Sequence, residues 1–328
     1  MASFPRIPSL VAAAAIAGAL PFLSLGCGGS DAVWDANRPG PKVVVTFAPI
    51  YCFAANVAGD RAQVKDVMTT TGPHDFNPTD IEARLLQKAD LFIINGLELD
   101  NALAETMRRG SGNKKLNLVD LGQRIPRDKL LERDDDHDHA AGHKHDHEHG
   151  SHDPHVWLAP DLAILMTQTI RDELKAADGG SGAAYDANAA GYIAKLNQLK
   201  ADGVAMFKDK KDRKLVTFHE SLGYFARSFD LEIAGVVEKK PGVEPSRDEV
   251  DAIIKMCVDK KVRLIAVEPQ YGANTSAKAI IEELHRKGID AALVEIDPLE
   301  TVTPTALTRE WYVEKMRSNL EALRDAMK

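Results

Sequence analysis

The chain has 328 residues, 44% of them hydrophobic and 27% charged, a globular composition that excludes a wholly disordered or membrane-embedded protein. Its length suits two domains of common size better than one core. With 41 Lys and Arg against 49 Asp and Glu, the formal charge is −8, which argues against a nucleic-acid partner and leans towards cations.

At the N-terminus Arg6 precedes an apolar stretch from Leu10 to Leu25, followed by Gly26-Cys27. About 16 residues interrupted by Pro21 are short for a membrane span and fit a secretory signal over residues 1–26. The segment SLGC resembles a bacterial lipobox, although Leu23 stands one position too far from Cys27. Cys27 is therefore a candidate for lipidation, with cleavage nearby to release a soluble protein as the alternative. A single lipid chain binds membranes only marginally, so stable anchoring needs multiple acylation. No other run is apolar enough for a span, and the expected location is extracytoplasmic, either periplasmic or lipid-anchored at the membrane surface.

A Gly/Pro-rich linker, 27–40, leads into short β-branched runs alternating with helical patterns. Strands are predicted at KVVVTF from Lys42, QVKDVM from Gln63, LFIIN from Leu91 and LNLVDL from Leu116. The same grammar restarts at KLVTF from Lys214, followed by IAGVV, RLIAVE and ALVEI. Strands alternating with helices imply a mainly parallel sheet flanked by helices. The expected fold is thus α/β with two lobes, residues 41–182 and 212–328. Ser246 and Glu249 have the capping-box spacing of a helix start, and a terminal helix is expected from about Thr305. Between the lobes, residues 183–211 lack proline, and Tyr185, Tyr192, Leu196, Leu199, Val204 and Phe207 fall near helical spacing. One long, stiff helix is expected there, which predicts small ligand-linked motion. Cys52 and Cys257 lie in apolar helical patterns and read as buried small hydrophobes; without a CxxC there is no zinc-finger chemistry.

Residues 132–152 are low in complexity and lack the apolar side chains needed to pack. His137, His139, His143, His145, His147, His149 and His152 alternate there with acidic residues. The expected element is a disordered loop beside a cleft, binding zinc loosely and raising its local concentration; a solvated loop without biological consequence is the bland alternative. His155 differs, because Asp153-Pro154 precedes it and an apolar segment follows. It sits just before a helix starting near Pro160, whose positive dipole end favours the neutral imidazole. His74, His219 and Asp297 each follow a predicted strand, the edge where open α/β sheets bind ligands. Each alone reads as a structural residue, and an Asp before Pro usually just opens a turn. Taken together, three imidazoles and a carboxylate form a closed shell suited to zinc, whereas manganese prefers more oxygen ligands.

Several of these segments, in this order, resemble the zinc/manganese solute-binding proteins of bacterial ABC importers, the ZnuA-like cluster. They are GPHDFNPTDIEARLLQKADLFIINGLELD, DPHVWLAPD, HESLGYFARSFDL, EPSRDEVDAIIKMCVDKKVRLIAVEPQ and IDPL. The resemblance runs from Lys42 to the C-terminus. It implies two α/β lobes joined by a rigid helix, with His74, His155, His219 and Asp297 as metal ligands and Asp297 replaceable by water. A histidine at position 219 implies zinc over manganese as the cargo, and the implied partners are a membrane permease and its ATPase. The expected role is capture of Zn²⁺ by a monomer, without catalysis. The alternatives are manganese binding, a zinc buffer or adhesin without transport, and a secreted zinc hydrolase. For the last, HESLG departs from HExxH, since Gly223 replaces the second histidine. Glu220, beside His219, reads as a helix start in preference to a ligand.

Overall fold

The computed structural model describes residues 1, 33–133, 152–237, 244–269 and 275–327. The signal-like stretch, Cys27 and the loop histidines His137, His139, His143, His145, His147 and His149 lie outside the described residues. So does the question of whether that loop is disordered.

Eight strands form two four-stranded sheets among the described residues. In the first, β1 (Lys42–Phe47) is flanked by β2 (Gln63–Met68) and β3 (Leu91–Ile94), and β4 (Asn117–Asp120) lies beyond β3. The second repeats the order with β5 (Lys214–Thr217) between β6 (Glu232–Val236) and β7 (Leu264–Val267), and β8 (Ala292–Glu295) beyond β7. Every pairing is parallel, so each return passes through a crossover. The helices are α1 (Ala48–Ala58), α2 (Asp80–Leu86), α3 (Asn101–Ser111), α4 (Pro160–Ala177), α5 (Gly182–Phe207), α6 (Gly223–Ser228), α7 (Arg247–Lys260), α8 (Thr275–Arg286) and α9 (Trp311–Ala326).

Period-2 alternation along the strands sorts side chains into layers. Val43, Val45 and Phe47 of β1 face a large central core that also takes Leu215 of β5 and Leu264 and Ala266 of β7. Val44 points the opposite way, to a smaller core under α2 and α3 that includes Trp34. On the second sheet Val216 and Ile265 face a third core with α7 and α8. Both sheets thus share one interior, and Trp34–Lys328 forms a single compact unit. Residues from Trp34, expected as linker, are part of that unit. Trp34 is buried, and the Gln63 side chain bonds the backbone of Asp35 and Arg38.

The 26-residue α5 is the long helix expected, about 39 Å from end to end. Its buried stripe runs Tyr185, Ala189, Tyr192, Leu196, Leu199, Gly203, Phe207. Val204, expected on this stripe, is exposed. Gly203 takes the inward position because a Cβ there would fall 2.4 Å from Phe229 Cε1. The terminal helix starts at Trp311 instead of Thr305. The preceding segment is used differently: Thr308 O accepts from Cys52 Sγ and Arg309 O from Asn56 Nδ2, tying it to α1. Cys52 and Cys257 are free and buried, and no described helix is long and apolar enough to cross a membrane.

Candidate metal centre

The loop after β2 carries His74, the segment before α4 carries His155, and the turn after β5 carries His219. All three meet at the carboxyl ends of the strands, and one donor atom from each lies within 4.8 Å of the others. Their ring centroids form a nearly equilateral triangle with sides of 5.4, 5.4 and 5.2 Å. His155 and His219 are buried, and His74 is partly exposed.

Asp297 is not in this group. Its Oδ1 accepts from Leu299 N at 2.8 Å and its Oδ2 pairs with Lys315 at 3.2 Å, so it opens a turn and neutralises a lysine. The carboxylate that reaches the histidines belongs to Glu300, whose side chain is 2% exposed. Glu300 Oε1 lies 3.4 Å from His74 Nε2 and 3.5 Å from His155 Nε2, while those two nitrogens are 3.3 Å apart. A tetrahedral zinc with bonds of about 2.0–2.1 Å needs donor atoms about 3.3 Å apart, so three edges of the tetrahedron are already set. Glu300 Oε1 has no hydrogen-bond partner among the described residues; a buried carboxylate oxygen left in this way, between imidazoles, suits a cation.

The surroundings fix each group. Asp153 Oδ1 accepts from the His155 backbone N–H at 2.9 Å and from its Nδ1 at 2.7 Å, which leaves Nε2 facing His74. Asn95 Nδ2 bonds Pro154 O. Trp157, edge-on to Phe47, donates from Nε1 to Pro298 O and so ties the turn of Glu300 to the segment of His155. Leu299 adopts a left-handed φ of 64° in that turn, and Val302 N bonds Thr69 O beside the loop of His74. Gly72 lets that loop pass over Glu300, since a Cβ would stand 3.1 Å from Oε2. Sequence inspection missed Glu300 because only the turn decides which carboxylate of IDPLE points inward; its position just beyond a strand end was the available signal.

Burial pulls the His155 pKa down, but Asp153 and then Glu300 outweigh it and raise it to about 10. The helix dipole was expected to favour the neutral ring; the adjacent carboxylates reverse that preference. Burial pushes the Glu300 carboxyl up, while His155 and His74 outweigh it and hold it well below the usual range. Glu220 lies in the turn leading into α6, outside the histidine group. His152 is the one loop histidine in the described residues, in an isolated antiparallel bridge with Glu132 at the loop's base.

Residues 43–326 match the family model described as zinc-uptake complex component A, periplasmic. The chain belongs to this family. Its members are solute-binding proteins, not enzymes. The chain is 31% identical over 295 residues to the zinc-binding protein AdcA of Streptococcus pyogenes serotype M3, covering 86% of this chain and 55% of that protein. It thus spans about half the length of the AdcA relatives. The high-affinity zinc uptake system protein ZnuA of Bacillus subtilis is 27% identical over 310 residues, 93% of this chain and 94% of that protein. Among solved structures, a crystal structure of ZnuA aligns with TM-score 0.71 at 25% identity, covering 88% of this chain and all (100%) of that one. The solute-binding protein FpvC of Pseudomonas aeruginosa, in complex with Mn²⁺, aligns with TM-score 0.72 at 25% identity, over 88% and 98% of the two chains.

Proposed function

We propose that the protein captures Zn²⁺ outside the cytoplasmic membrane and delivers it to the permease and ATPase of an ABC importer. His74, His155, His219 and Glu300 are the metal ligands in this reading. The observation that carries it is the triangle of Nε2, Nε2 and Oε1 with edges of 3.3, 3.4 and 3.5 Å, beside a third imidazole. Three imidazoles and one carboxylate close a zinc shell without an open position, and catalytic zinc needs that position. Manganese favours more oxygen ligands, so zinc is the preferred cargo and manganese the competitor to test. The relatives support the same direction, being a zinc-binding protein and a zinc uptake component by name. The loop histidines act as an accessory store, and the protein works as a monomer.

The test is competitive titration of zinc against manganese on the intact protein, a deletion of residues 134–151, and the double variant His74→Ala/His219→Ala. One tight zinc-preferring site that survives the loop deletion and vanishes in the double variant supports the proposal. Loss of tight binding with the loop, at no cost from the double variant, overturns it.

A further inference from the structure

Beyond the four proposed ligands, two more buried carboxylates stand beside the histidines. Asp153 is 6% exposed and Glu268, at the end of β7, is 5% exposed. Asp153 engages His155 Nδ1 directly. Glu268 Oε1 accepts from the buried Ser221 hydroxyl at 2.9 Å and stands 3.4 Å from His219 Nδ1. That Nδ1 is buried and has no hydrogen-bond partner among the described residues. A buried polar nitrogen of this kind needs an explanation, and a shift of about half an ångström brings it within hydrogen-bond distance of Glu268. With Nδ1 facing Glu268, Nε2 is the nitrogen left to face the other two imidazoles.

We propose that Glu268, held by Ser221, is a positioning residue for His219: it takes the Nδ1–H and aims Nε2 at the other imidazoles, as Asp153 does for His155. The inference rests on the zinc-binding reading above. Imidazoles that bind metal commonly pass their other N–H to a carboxylate, which fixes ring and tautomer and makes the ligand nitrogen more basic. Here Asp153 and Glu268 supply equivalent arms, one from the residue two before its histidine and one from a neighbouring strand. The Ser221 hydrogen bond alone would leave the His219 nitrogen unexplained.

The experiment compares Glu268→Ala, Glu268→Gln and His219→Ala with the unmodified protein. Zinc affinity is read by chelator competition at one equivalent of metal, and histidine side-chain nitrogen and proton resonances are recorded on the zinc-loaded protein. Glu268→Ala should weaken zinc by about 10–100-fold. Glu268→Gln keeps an oxygen to accept the proton but loses the charge, and should fall between. The spectrum should show His219 bound through Nε2, with an Nδ1 proton whose resonance moves in the glutamine variant. A purely structural Glu268 would alter thermal unfolding and leave that resonance in place. Unchanged affinity in Glu268→Ala, or metal on Nδ1, overturns the proposal; if the alanine variant does not fold, unchanged affinity and resonance in Glu268→Gln overturn it equally. If His219→Ala itself leaves zinc affinity unchanged, the failure belongs to the zinc-binding reading.

Discussion

Asp297 and Glu300 occupy one turn, three residues apart, and meet opposite surroundings. Asp297 caps the turn and faces Lys315 near the surface, whereas Glu300 enters the interior between two imidazoles. The turn, with Leu299 in the left-handed region and Pro298 O held by Trp157, sends the two carboxylates apart. Chemical type qualifies both as candidate ligands, and backbone geometry brings only Glu300 to the histidines.

The sharpest way to break this contrast is substitution at each position. Glu300→Gln removes the buried charge while keeping shape, and zinc affinity should fall by more than the roughly 10–100-fold expected of an outer-shell change. An equal fall in Asp297→Asn would erase the distinction.

Proton competition comes next. In the metal-free protein the His155 pKa is raised from 6.5 to about 10, so its ion contacts stabilise the fold fully below about pH 6.5 and are lost as pH rises towards about 10. Zinc must displace that proton. Thermal unfolding should therefore show metal-free stability declining over this interval while the increment from zinc grows; an increment that shrinks with pH would contradict the assignment of His155.

Smaller still, Asp297→Asn retains an oxygen for Leu299 N–H and loses only the Lys315 pair. Chemical denaturation should report a loss of at most about 1 kcal/mol, typical of a partly exposed ion pair. Zinc affinity should stay within about threefold, just under half of the 1.4 kcal/mol that a factor of ten represents.

Much of the fold was legible because its signals are local. Strand runs such as KVVVTF and the Ser246/Glu249 capping box, found intact at the start of α7, are decided by neighbours in the chain. The placement of His74 and His219 followed from strand ends and that of His155 from the helix start near Pro160, and the structure brings the three together. What escaped depends on distant contacts. Gly203 displaces Val204 on the α5 stripe because Phe229 and Leu320 press there, and α9 starts late because α1 bonds the preceding carbonyls. Glu268 reaches His219 only when β7 is laid beside β5. Glu300 needs both the turn of Leu299 and the Trp157 anchor, neither of which periodicity reveals.

The most direct measurement is a crystal structure of the protein loaded with one equivalent of zinc, with the metal located by anomalous scattering. The expected result is one zinc bonded to Nε2 of His74, His155 and His219 and to a Glu300 oxygen, at about 2.0–2.2 Å each, with Asp297 still paired to Lys315. Zinc bonded to Asp297, or seated away from the three histidines, would contradict it.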